Sequence, residues 1–241
     1  MPHFNIDMRP GLNPDWVSRY QDYLGRAREW WTDKTRETTQ LGVEQSTLRT
    51  MPTGLDGPKH GPLSVYNEWA SRQLALLSKS SERWVLLQDR DEFERWHAEL
   101  TQSLCSHWRQ RTHEIAELRT KETGAPVEPV NAELSLAHRY KLVDLFVRWL
   151  RMKDAYAPAL AAACLANGHI PLDRKSLHVL SETFGGIGLR GPFSMGDVHT
   201  EAAYQFYQSL ARALCHEAGG SPLLFDVFAW THPDAQKLYS K

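Results

Sequence analysis

Two short stretches carry side chains able to do covalent chemistry. HRYKLVDLFVRWL, residues 138–150, sets Lys141 at the start of an apolar helical run. At helical spacing Leu142, Phe146, Trp149 and Leu150 share one apolar face, with Lys141, Leu145, Arg148 and Met152 along its edge. An apolar wall disfavours the ammonium form of a lysine and so frees the amine as a nucleophile. HIPLDRKSLHVL, residues 169–180, opens a second helix with Asp173. A carboxylate after Pro171-Leu172 and before Arg-Lys-Ser is an N-cap signal, and such a group is rigid and suited to stabilising a nearby cation. Singly, each residue has an ordinary explanation: Lys141 can snorkel or pair with Asp144, and Asp173 can be a cap and no more. The two lie 32 residues apart, with one helix, a connection and a second short helix between them. That spacing lets the chain return to a single cleft.

The elements that would position this pair are helical throughout. Asn13-Pro14-Asp15 starts a helix with apolar spacing from Trp16 to about Thr38. Residues 40–63, broken by four glycines and three prolines, predict a long surface loop or lobe boundary. Ser64 is placed to cap a helix holding Val65, Trp69, Leu74 and Leu77, and a short segment with Trp84 follows. Asp89 or Asp91 starts a longer helix through Phe93, Trp96, Leu100, Leu104, Trp108 and Ile115. After GAPVEPVN come a short helix near Ala132 to Leu136, the lysine helix from about Arg139, and an Ala-rich helix from Pro158 to Leu165. Asp173 then leads a helix to about Phe184, residues 199–220 form another, and Pro222 to Trp230 begins the last. Alternating strand patterns are scarce, so the fold class is all-α with about ten helices. The breaks divide the chain into residues 1–63 (a helix and loop), a helical lobe over 64–130 joined by the helices of 195–241, and a lobe over 131–194 carrying the lysine and aspartate.

Composition bounds what such a fold can do. The chain has 241 residues, 41% of them hydrophobic, enough for a substantial core, and nine Trp suit both cores and stacking surfaces. The formal net charge is -1, so any surface for a nucleic acid must be a local patch. Cys105, Cys164 and Cys215 form no CxxC pair, which argues against an iron–sulfur cluster or zinc knuckle and for reduced thiols in the cytosol. The opening MPHFNIDMRPGLNPDW lacks a basic segment followed by an apolar run, and no stretch reaches the length of a membrane span. A cytoplasmic, monomeric protein with no membrane partner is expected.

YKLVDLFVRWL followed by HIPLD resembles the lysine–aspartate core of the helix-hairpin-helix DNA glycosylases, in particular the 8-oxoguanine DNA glycosylases, and most closely their archaeal branch. EAGGSPLLFDVFAW, residues 217–230, resembles that branch's C-terminal helix; Asp226 and Trp230, one turn apart, match the residues that contact the extruded base. Trp84 in SSERW stands where the family carries a pocket tryptophan. The resemblance covers roughly residues 64–230 and is concentrated in these blocks. It departs from the family at His138-Arg139-Tyr140, where a Gly-x-Gly hairpin turn is common, and at Leu145, where the archaeal branch has an aromatic; Phe146 comes one residue late.

The resemblance implies two helical lobes around a base-binding cleft, with a divergent helix-hairpin-helix motif. It implies an enzyme that flips a modified base out of DNA, since a base inside a duplex cannot be reached by a side chain. Lys141 would attack the sugar C1′ as the base departs, and Asp173 would stabilise the oxocarbenium-like transition state. The Schiff base then permits abasic-site lyase cleavage with no metal or cofactor. Asp226, Trp230, Phe146 and Trp84 would form the base pocket. Arg139, Arg148, Arg174, Lys175 and Arg190 are candidate phosphate contacts. The target base is 8-oxoguanine by resemblance, or a bulky hypermodified base of phage DNA in antiphage defence. Three other readings compete. Arg90 and His97 in RDEFERWH match the loose Arg-x6-His spacing of HEPN-type ribonucleases. The chain could be a non-enzymatic helical interaction module. His199, Glu201 and His216 could hold a metal, though no compact ligand motif such as HExxH is present.

Overall fold

The computed structural model describes residues 11–31, 40–79, 81–151, 157–185 and 193–237. Among these the regular elements are all helical, and no strand is present. In chain order they are α1 (Pro14–Trp31), α2 (Pro62–Leu77), α3 (Ser81–Leu86), α4 (Arg90–Thr123), α5 (Leu136–Arg151), α6 (Pro158–Asn167), α7 (Arg174–Thr183), α8 (Glu201–Ala218), α9 (Pro222–Thr231) and α10 (Pro233–Lys237). No helix of the described residues is long and apolar enough to cross a membrane. The chain forms two compact units: residues 37–163, and residues 1–36 together with 164–241.

In the unit of residues 37–163, α4 is the spine. Asp89 caps it by accepting the Glu92 amide at 3.0 Å, and Gly124 ends it at φ +70°, where a side chain would be strained. Its apolar stripe buries Phe93, Trp96, Leu100, Leu104, Trp108 and Ile115, and α2 and α5 both pack on it. Trp69 of α2 meets Phe146 of α5 edge to face, ring centres 5.2 Å apart, and Tyr66 leans on Trp69 at 5.7 Å. Helix α2 starts at Pro62, not at a Ser64 cap: proline in the first turn costs no hydrogen bond, because that N–H has no partner in a helix anyway.

One further expectation fails in this unit, and another holds only in part. No helix spans 132–136; Asn131 adopts φ +48°, its carbonyl accepts the Trp108 indole N–H at 3.0 Å, and its side-chain amide donates to the Pro52 carbonyl at 3.0 Å. Arg109 then clamps Glu133. The segment is committed to bonds with distant parts of the chain, and these outweigh its weak local helical pattern. The surface loop expected over 40–63 is exposed at 56–59 but not throughout. Two 3-10 turns, Gln40–Gly42 and Gln45–Leu48, punctuate it, and Val43, Leu48, Met51 and Thr53 are buried. Thr53 donates to the His60 carbonyl at 2.6 Å, closing the segment on itself.

In the unit of residues 1–36 and 164–241, α1, α7, α8 and α9 pack on one another. Trp16, Tyr20, Phe225 and Phe228 build an aromatic core, with Tyr20 5.6 Å from Phe225 and 5.3 Å from Phe228. The Tyr20 hydroxyl donates to the Ser221 carbonyl at 2.7 Å and accepts the Ser221 amide at 3.3 Å, so α1 fixes the start of α9. Ser221 caps α9, Thr200 caps α8, and α10 continues the chain beyond the helix predicted to be last. Cys164 and Cys215 are buried and form no disulfide, and burial pushes the Cys215 thiol up to about 12, far from any reactive thiolate.

Candidate functional site

Lys141 lies in the second turn of α5, in the unit of residues 37–163, and is half-buried. The helix begins because Ser135 supplies its first acceptors. The Ser135 hydroxyl takes the His138 amide at 3.3 Å and its carbonyl takes the Arg139 amide at 3.0 Å. His138-Arg139-Tyr140 is therefore helical, with two of its amides engaged inside the helix, and does not form a hairpin turn that offers them to phosphate. Beyond Lys141, residues 142 to 147 are buried without interruption. The face is broader than the stripe read from spacing, and it takes in Leu145 and Asp144 as well.

Asp144 is fully buried, and its partner is His97 of α4, whose ring Nε2 lies 2.7 Å from Oδ1. The His97 ring stacks parallel to Tyr140 at 5.9 Å. His97 and Asp144 thus clamp α4 to α5 next to the lysine, a role the sequence did not announce because the two residues are 47 positions apart. His97 is 2% exposed and committed to Asp144, while Arg90 is exposed at the helix start beside Glu94.

The segment 40–61 is a strap on α5. Gly42, at φ +92°, presses on the Leu145 carbonyl and the Trp149 side chain so closely that an added Cβ would sit 2.4 Å from that carbonyl oxygen. Thr50 Oγ1 lies 3.3 Å from His138 Nε2, one turn before Lys141. The lysine is bracketed by strap contacts on both sides along the helix. Burial, and then the charge of Lys141, hold the His138 imidazole below its ordinary value.

The remaining predicted residues of this unit divide between core and surface. Phe146 is fully buried between Trp69 and Trp149, so its ring is spent on packing and presents no open face to a base. Trp84 on α3 is half-buried, its indole N–H donating to the Leu77 carbonyl at 3.1 Å. Arg139 places its guanidinium 5.3 Å over the Tyr140 ring, and Arg148 is half-buried near Tyr66. A groove of about 390 Å³ runs along the end of α4, lined by His113, Glu117, Lys121 and Glu128 among others; no predicted site residue lines it.

Asp173 is the N-cap of α7 in the other unit, as its sequence context predicts. Its Oδ1 accepts the Lys175 amide at 2.8 Å and the Ser176 amide at 3.0 Å, and Ser176 Oγ returns the bond by accepting the Asp173 amide at 2.8 Å. The other carboxylate oxygen, Oδ2, accepts the indole N–H of Trp230 at 2.9 Å. The Lys175 ammonium lies 3.9 Å over the Trp230 ring. Two residues picked from separate sequence blocks thus share one carboxylate. Trp230 is 44% exposed, whereas Asp226, one turn earlier on α9, is 1% exposed and belongs to the interior of its unit. Arg174 is exposed and Lys175 half-buried. Arg190 lies outside the described residues.

Sequence reasoning missed what holds the approach to Asp173. Gln208 of α8 brackets Ile170, its Oε1 accepting the Ile170 amide at 2.9 Å and its Nε2 donating to the Ile170 carbonyl at 2.8 Å. Tyr204 Oη lies 2.7 Å from His169 Nδ1. A buried glutamine in YQSLAR has no local signal, because its function is to replace a backbone partner for a segment 38 residues away. The metal candidates fare differently. Glu201 and His216 stand at opposite ends of α8, roughly 22 Å apart at the rise of an α-helix, too far to share an ion.

Comparison with family models, with curated proteins and with solved structures returned no match.

Proposed function

We propose that this chain is a DNA glycosylase with abasic-site lyase activity, in which Lys141 is the nucleophile and Asp173 the carboxylate that stabilises the cationic sugar. What carries the reading is the junction of Asp173 with Trp230: a rigid carboxylate at a helix start, bonded to the edge of a half-exposed indole. A carboxylate held by backbone amides keeps its orientation as charge develops, which is the condition for stabilising a transition state without reorganisation. The indole beside it offers a base a surface to stack on. Lys141 supports the reading by its place at the margin of a buried face, where the amine is partly shielded from water.

Helix α5 stands in for the second helix of the family's hairpin, with charged side chains doing the work of the absent glycines. Arg139, Arg148, Arg174 and Lys175 contact phosphates, so binding weakens steeply with salt although the net charge is near neutral. The base rests on Trp230, with Asp226 of the same helix reading it. The protein acts as a cytoplasmic monomer on DNA with a modified base, 8-oxoguanine or a bulky hypermodified base of phage DNA, without metal or cofactor.

The test is borohydride trapping on duplex DNA with an abasic site. The wild-type protein is expected to give a covalent adduct that is absent in Lys141→Gln. RNA cleavage without an adduct, lost in His97→Ala, would replace this reading with a ribonuclease, and neither activity would leave an interaction module. Digestion of phage DNAs with and without base modifications, scored for abasic sites, then identifies the base; indifference to every modified DNA would end the defence assignment.

A further inference from the structure

The indole of Trp230 was expected to serve the base, yet its N–H serves the carboxylate. We propose that Trp230 is a positioning residue for Asp173, fixing the plane of the carboxylate through its indole N–H while its ring remains available to the base. The inference rests on the glycosylase/lyase reading above.

The geometry is specific. The amides of Lys175 and Ser176 both converge on Oδ1 and hold that side of the carboxylate. The indole N–H reaches the other oxygen at 2.9 Å and holds the second side, so that the carboxylate plane is set from both ends. Trp230 can hold this position because α9 is itself fixed: Ser221 caps its start, and Phe225 and Phe228 seat it in the core. The Lys175 ammonium over the ring draws on the π-cloud and leaves the N–H a stronger donor toward a charged acceptor. Lys175 covers one face of the ring, and with 44% of the residue exposed the remaining surface is accessible to a stacked base. A single side chain therefore couples capture of the base to the orientation of the group that stabilises the sugar cation.

Abasic-site DNA separates the two roles, because it has no base to stack and leaves only the N–H route. Borohydride trapping rates are measured at increasing concentrations of an abasic duplex for wild type, Trp230→Phe and Trp230→Leu. The proposal expects both variants to slow the saturated rate by roughly ten- to a hundredfold, the worth of one hydrogen bond to a charged group. The half-saturating duplex concentration should stay within about twofold, since no phosphate contact is lost. In an Asp173→Asn background the Trp230 substitutions should add nothing further, the non-additivity of groups acting as one unit. A purely structural defect would instead lower the amplitude of trapping at an unchanged rate. Wild-type rates in Trp230→Phe, or full additivity with Asp173→Asn, overturn the positioning role alone. Absence of a wild-type adduct overturns the lyase reading, and the positioning role with it.

Discussion

Asp173 and Lys141 are held in contrasting ways. The carboxylate is fixed atom by atom: two backbone amides, a serine hydroxyl in return, and an indole N–H. The lysine is fixed by the body of its helix, which is wedged onto α4 by His97–Asp144 and strapped by Gly42 and Thr50. A short side chain with directional acceptors can be aimed by hydrogen bonds. For a long flexible side chain such as lysine, the placement of the helix that carries it decides which positions the amine can reach. Damage to the first region should therefore be chemical and local, and damage to the second should be mechanical.

The sharpest break of that contrast is Lys141→Gln, which should remove the borohydride adduct entirely while leaving the circular dichroism spectrum and urea midpoint unchanged. Gly42→Ala should come next. Its Cβ would need a left-handed conformation and would overlap the Leu145 carbonyl, costing about 4 kcal/mol of stability by urea denaturation through strain and overpacking. Should Gly42→Ala unfold at the wild-type midpoint, the strap is not seated as described. His97→Ala strips Asp144 of a buried hydrogen bond and should cost about 3 kcal/mol, measured the same way. A loss below about 1 kcal/mol would show that the clamp contributes little.

Ser176→Ala is the counterpart on the carboxylate side. It removes the return bond of the capping box and should cost about 1 kcal/mol, because one cap partner is lost and no core is disturbed. The smallest effect concerns acid. Burial is the leading cause that lowers His107 and His138 in one unit and His178 and His232 in the other. Their folded values lie below the unfolded value of about 6.5, so unfolded chains bind protons first as pH falls. Stability should be constant above that value and decline through it toward the lower folded values. A melting temperature flat from pH 7.5 to pH 5 would contradict this.

Legibility in the sequence follows the same divide. The caps Asp89, Asp173, Thr200 and Ser221 and the apolar stripe of α4 are local features, each decided within one helical turn of the residue that shows it. Asp173 could be singled out for that reason. The 132–136 segment misled because its weak helical pattern competes with bonds to Trp108 and Pro52, which no local window contains. Phe146 was assigned to a pocket by resemblance, whereas its spacing put it on the apolar face, and it is buried there against Trp69.

The sequence by itself determined an all-helical chain, the positions of most helix starts, and the two residues whose chemistry drew attention first. Those outcomes depend on propensity, capping and periodicity, which act over a few residues. Only the tertiary structure decided that the glycine-rich stretch straps α5, that His97 serves Asp144, and that the edge of Trp230 serves Asp173. Each of these joins residues 47 or more positions apart, and their partnership is set by how helices pack, a property of the whole unit and of no segment within it.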